Sequence, residues 1–135
     1  MDPVLRRWAA VAAIAAGLPL AACSSVPETP LPGVAAVVDM TTTLAFEPKV
    51  VHIKAGQTVE WRNNSLFTHS VTADPKDADD PGDVSLPAGA QPFSATVESG
   101  QTFTHTFTVP GTYRYICMPH EDLGMVGEVV VEPAT

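Results

Sequence analysis

Residues 102–109, Thr-Phe-Thr-His-Thr-Phe-Thr-Val, alternate without a break: Phe103, His105, Phe107 and Val109 share one parity, and Thr102, Thr104, Thr106 and Thr108 share the other. A period of two belongs to an extended strand with one face buried and one face wet; a helix would scatter the same side chains around its circumference. Shorter runs repeat the pattern. Val51 and Ile53 share a face in Val50 to Lys54, as do Val59 and Trp61 in Thr58 to Arg62, and Phe93 to Val97, Thr112 to Cys117 and Gly127 to Glu132 follow suit. Ala55-Gly56, Ser99-Gly100 and Pro110-Gly111 supply turns between them, and Pro48 marks a bend or an edge. The stretch 73–92 holds four prolines and two glycines, which excludes a long helix there. These runs predict an all-β chain folded as a Greek-key β-sandwich of about seven to eight strands. The 135 residues suffice for one such domain and not for two, and no internal repeat is present.

Part of the apolar content lies outside the sandwich. Arg6 and Arg7 precede an apolar run from Trp8 to Ala22, broken only by Gly17 and Pro19. That run is shorter than the roughly 20 residues a membrane-spanning helix needs, and residues 1–22 read as a secretory signal peptide. Its end, Leu20-Ala21-Ala22-Cys23, resembles a bacterial lipoprotein cleavage box, which implies a lipid on Cys23 as the first mature residue. Residues 23–36 carry Pro27, Pro30 and Pro32 without apolar periodicity and read as a lipid-anchored, semi-rigid spacer, with the folded domain at 37–135. The expected location is the periplasmic or cell-surface side of a bacterial membrane. Loss of 1–22 removes Asp2, Arg6 and Arg7 and takes the net charge from −8 to −9. So few cations exclude general nucleic-acid binding.

With Cys23 assigned to the anchor, Cys117 is the domain's only thiol, so no disulfide is expected and an immunoglobulin-type sandwich is disfavoured. Cys117 opens a dense group, Cys117-Met118-Pro119-His120-Glu121-Asp122-Leu123-Gly124-Met125, spaced Cys-x2-His-x4-Met between two strands. Thiolate with thioether favours copper, and two imidazoles, one thiolate and a weak axial methionine make a blue-copper electron-transfer site. Structural zinc would ask for four strong Cys or His donors. The second imidazole must come from elsewhere, and His52, His69 and His105 are the candidates. His69 lies where the strand ending at Arg62 gives way to a loop. His52 has the polar parity of its strand and reads as solvated. His105 shares the apolar parity of Phe103 and Phe107 and reads as partly buried with one hydrogen-bond partner.

From about Asp39 to Glu132 the chain resembles plastocyanin and the related small cupredoxins, through FEPKVVHIKAGQTVEWRNNSLFTHSV and PGTYRYICMPHEDLGMVGEVVVE. The specific part is the pairing of Cys-x2-His-x4-Met with an Asn-Asn-x4-His segment whose histidine lies 48 residues before Cys117. The resemblance implies a cupredoxin-type sandwich holding one copper ion, cycling between Cu(I) and Cu(II), with His69, Cys117, His120 and Met125 as ligands. It implies an electron carrier rather than an enzyme, working as a monomer between redox proteins such as a cytochrome or an oxidase subunit. A copper trafficking or storage module is the alternative, and burial of the cysteine argues against it. In the family the loop histidine, here His120, turns one ring edge toward solvent inside an apolar docking patch, for which Leu66, Phe67, Pro119 and Leu123 are the candidates.

Three departures from the family pattern stand out. Ser70 replaces the asparagine that commonly ties the two ligand loops. Ile116 replaces the aromatic that commonly precedes the cysteine and offers a remote port for electrons, leaving Tyr115 one position away. Glu121 and Asp122 stand where small or neutral residues are usual and are expected to bring negative charge to the docking face. Asp74, Asp77, Asp79, Asp80 and Asp83 form an acidic run after His69, read either as a solvated loop or as a surface steering a basic partner.

Overall fold

The alternating runs become strands whose inward side chains meet between two sheets. The computed structural model describes residues 29–135, and nine strands lie within them: β1 Val34–Met40, β2 Phe46–Glu47, β3 Val50–Lys54, β4 Gln57–Asn63, β5 His69–Ala73, β6 Phe93–Val97, β7 Thr102–Phe107, β8 Gly111–Ile116 and β9 Val126–Glu132. One sheet has the order β2-β1-β4-β7 and the other β3-β9-β8-β5-β6. Pairs β1 with β4 and β3 with β9 run parallel, and the other pairs are antiparallel. The all-β sandwich expected from periodicity is present, with nine strands instead of seven to eight.

The unexpected strands have physical reasons. Every residue of β5 is buried, because β6 and β8 flank it and both its faces are covered, so no alternation marks it. β2 is two residues long. β1 turns Val34, Ala36, Val38 and Met40 inward, and its small Ala36 follows directly on the proline-rich stretch. Parallel pairing of Val34 with Thr58 and Ala36 with Val59 carries the strand three residues into the segment read as spacer. Just before it, the Leu31 N–H donates to Glu60 Oε2 at 3.1 Å, and Glu60 Oε1 pairs with Arg62 Nε at 2.9 Å. Cys23 and residues 1–22 lie outside the described residues.

The core is built around Trp61, fully buried, with Tyr115 edge-on at 5.4 Å between centroids and Phe103 at 5.7 Å. Ile116 is buried as well, so neither Tyr115 nor Ile116 reaches the surface and the remote port considered for Tyr115 is absent. Two strand connections position the site. β4 ends in a loop that returns as β5 at His69, while β8 runs through Cys117 and a short 3-10 segment, Met118–Leu123, into β9. The pairing of Thr72 with Ile116 sets the two connections side by side.

Gly127 faces Tyr115 across β8 and β9, and a Cβ at Gly127 would overlap the phenol ring. Gly127→Ala should therefore lower stability by about 1–3 kcal/mol, the range for overpacking a filled core, measured as a drop in the denaturant midpoint of the metal-free protein; an unchanged midpoint would show that the ring shifts freely.

Candidate metal centre

Loop geometry brings the donors together. Asn63, fully buried, donates from Nδ2 to the carbonyls of Phe67 (2.7 Å) and Val97 (2.8 Å), and its Oδ1 accepts the Ser65 N–H (3.0 Å) and hydroxyl (2.8 Å). This side chain folds the 63–68 loop and delivers His69 to the first position of β5. On the other connection the Cys117 N–H donates to the Met125 carbonyl at 3.0 Å and the His120 N–H to the Cys117 carbonyl at 3.0 Å. The Met125 N–H returns to the His120 carbonyl at 3.2 Å. Gly124 closes the turn at φ 82°, a left-handed conformation that suits glycine.

His69 Nδ1, Cys117 Sγ and His120 Nδ1 converge: the two nitrogens are 3.2 Å apart, and they lie 3.5 Å and 3.3 Å from the sulfur. His69, Cys117 and Met125 are fully buried and His120 partly exposed. Three electron-pair donors facing one another in a dry interior repel unless a proton or a cation lies between them. The centre of their triangle is about 2 Å from each, the length of a metal–nitrogen bond. Backbone bonds of Met125 to Cys117 and His120 hold its thioether-bearing residue beside the same group. One soft sulfur, two imidazoles and a methionine suit copper.

Ser70 serves the linking role expected of a longer side chain. Its backbone N–H donates to Cys117 Sγ at 3.3 Å and its hydroxyl oxygen accepts the Met118 N–H at 2.8 Å. The function of Asn63 and Ser65 was not read from the sequence, although the Asn-Asn pair before His69 was visible. His52 is exposed on β3 as expected. His105 is partly buried and stacks on Phe93 at 4.0 Å with Phe107 edge-on at 4.7 Å; among the described residues it has ring contacts in place of the expected hydrogen-bond partner. Glu121 corrects a second expectation. It is buried, with its carboxylate on the N–H groups of Asp79 and Asp80, so only Asp122 of the pair is exposed.

The surface around the site is apolar. Among the described residues, exposed large apolar side chains include Leu66 (89%), Phe67 (49%), Met118 (37%) and Leu123 (67%), all from the two connections that carry the donors. The Phe67 ring stands 6.4 Å from that of His120. In the acidic run, Asp83 pairs with Arg114 at 3.3 Å and Asp74 with Lys76 at 3.9 Å, leaving Asp77, Asp79 and Asp80 exposed.

Residues 33–132 match the family model for copper binding proteins of the plastocyanin/azurin family. The chain belongs to that family. Barley (Hordeum vulgare) chloroplastic plastocyanin is 41% identical over 88 residues, covering 65% of this chain and 55% of that protein. Plastocyanin of Scenedesmus fuscus is 36% identical over 94 residues, covering 66% of this chain and 88% of its own length. The chain thus spans about half of the barley relative and most of the algal one. Among solved structures, the Cu(I) form of an amicyanin mutant superposes with a TM-score of 0.59 at 32% identity, covering 76% of this chain and 85% of that one. The sandwich is a cupredoxin fold, and its centre takes one copper ion.

Burial lowers the affinity of His69 for a proton, the nearby His120 lowers it further, and the Thr41 carbonyl opposes both. Burial alone lowers it at His105, and burial pushes the Cys117 thiol up against the opposing contacts of Ser70 and His120. The two histidines stabilise the fold fully above their ordinary 6.5 and lose that contribution as pH falls through their lowered values. Cys117 contributes below its ordinary 9.0 and the contribution is lost as pH rises through its raised value. The metal-free protein should therefore be most resistant to denaturant between these limits. Cys117→Ser should flatten the alkaline limb and His105→Gln part of the acid limb; limbs unchanged in both variants would contradict the assignment.

Proposed function

We propose that this chain is a type 1 blue-copper electron carrier, in which His69 Nδ1, Cys117 Sγ and His120 Nδ1 would be the strong ligands of the copper and Met125 the weak one. The convergence of the three strong donors to within 3.5 Å of one another carries this reading. When bound, copper supplies a reversible one-electron change between Cu(I) and Cu(II). The chain's own residues hold the donors still while the charge changes: β5 and β8 fix His69 and Cys117, and Ser70 locks the two connections together. The Ser70 N–H also withdraws charge from the sulfur, which tunes the potential.

Electrons would pass through the partly exposed His120, framed by Leu66, Phe67, Met118 and Leu123. An apolar face of that kind suits brief docking of a redox protein such as a cytochrome or an oxidase subunit. The exposed Asp77, Asp79, Asp80 and Asp122 add a long-range attraction for a basic partner. A monomer suffices, because one chain carries all the donors. Burial of His69, Cys117 and Met125 favours retention of the metal over hand-off, and hence a carrier over a trafficking or storage module. A carrier, rather than an enzyme, is also what a donor set with a single ring toward solvent serves. The segment 1–36 supports export and a lipid anchor on Cys23, with the proline-rich spacer holding the domain at the periplasmic or outer face of a bacterial membrane. Cys23→Ala should abolish the lipidated, membrane-bound form, and a protein that stays membrane-bound in the same form would contradict the anchor.

Optical and electron-paramagnetic spectra of the copper-loaded protein test the centre: an intense blue Cu(II) band, lost in Cys117→Ser, is expected, and a colourless Cu(II) form would sink the reading. Electron exchange with a basic cytochrome should slow about tenfold or more as ionic strength rises from low to physiological and beyond. Flat salt dependence would remove the steering role of the acidic residues.

A further inference from the structure

We propose that Glu121 is a positioning residue of the centre: its buried carboxylate clamps the acidic loop to the ligand loop, and its fixed negative charge holds the reduction potential down. This deepens the electron-carrier reading and rests on it.

Glu121 follows His120 directly and is only 5% exposed. Its Oε2 accepts the Asp79 N–H and its Oε1 the Asp80 N–H, both at 2.9 Å. Two successive backbone N–H groups aimed at one group form an anion-binding concavity, and both oxygens of the Glu121 side chain accept from it. The ion pairs among the described residues join Glu60 to Arg62, Asp74 to Lys76 and Asp83 to Arg114, and Glu121 is in none of them. Among the described residues, the Asp79 and Asp80 amide dipoles are what its carboxylate is bonded to.

The clamp acts on the ligand loop through the backbone. The Glu121 carbonyl accepts the Gly124 N–H at 2.8 Å, within the turn that joins His120 to Met125. Moving Glu121 therefore moves the segment between two ligands. The charge acts through space. In a poorly polarisable interior a negative charge on the residue next to His120 favours the more positive oxidation state, Cu(II), over Cu(I). Its neighbour Asp122 carries the same formal charge but is exposed, so water and salt screen it. The pair forms an internal control.

The experiment compares Glu121→Gln and Asp122→Asn in the copper-loaded protein by redox titration, and follows amide exchange at Asp79 and Asp80 in the metal-free protein. Glu121→Gln should shift the Cu(I)/Cu(II) ratio about tenfold toward Cu(I) at fixed ambient potential, which is about 59 mV for one electron. Asp122→Asn should shift it less than about threefold. Amides of Asp79 and Asp80 should exchange at least about tenfold faster in Glu121→Gln than in the parent, as expected when a buried hydrogen bond is lost. Equal potential shifts in the two variants, or equal exchange rates, would overturn the proposal. Should Glu121→Gln not fold, the parent decides the clamp: rapid exchange at both amides would refute it and slow exchange would support it, while Glu121→Asp, which keeps the charge, should hold the Cu(I)/Cu(II) ratio within about threefold of the parent, and a larger shift toward Cu(I) would refute the role of the charge. A parent protein without the blue band would refute the carrier reading instead, whereas a blue Glu121→Gln with the parent's potential would refute only this inference.

Discussion

Three electron-pair donors held within 3.5 Å of one another inside a protein are a costly arrangement, and the surrounding fold is organised to sustain it. Left to themselves, the two imidazoles and the sulfur would separate and find water. They cannot, because His69 opens a strand buried along its whole length and Cys117 is anchored by its N–H on the Met125 carbonyl and by the Ser70 N–H on its sulfur. The β-sandwich supplies the rigidity, since its sheets are packed around Trp61 and Tyr115, and the loops supply the chemistry. Such a site changes charge with little movement, the property an electron carrier needs.

Charge and apolar surface meet at the functional end. Leu66, Phe67, Met118 and Leu123 come from the same two connections as His120, the partly exposed member of the donor set, and exposed Asp122 lies between His120 and Leu123 in the chain, while Asp74 and Asp83 are paired with Lys76 and Arg114. Glu121 links the two regions from within: it is acidic in sequence and interior in space.

The strands with one wet face were legible because alternation survives only where one side is exposed; β3 and β6 fall where the pattern places them. β5 was not, because burial on both faces erases the alternation, and its polar Ser70 and Thr72 look like loop residues until their hydrogen bonds are seen. Cys117, His120 and Met125 were readable from soft-ligand chemistry at close spacing, and His69 from the resemblance that its flanking asparagines carry. The inward turn of Glu121 was not readable, because what makes it tolerable is a pair of backbone N–H groups about 40 residues away in the chain, contributed by residues whose side chains suggest only a solvated surface. The hydrogen-bond partner expected for His105 failed for a related reason: Phe93 of β6 and Phe107 of its own strand took the place of a polar neighbour.

The central claim is a donor set that stays in place through the redox change. X-ray absorption of the copper-loaded protein in its oxidised and reduced forms tests it directly. The account predicts one sulfur and two nitrogens at short distance in both forms, with bond lengths changing by only about a tenth of an ångström, as a rigid site requires. Loss of the short sulfur, or a change in the number of nitrogen neighbours between the two forms, would contradict it.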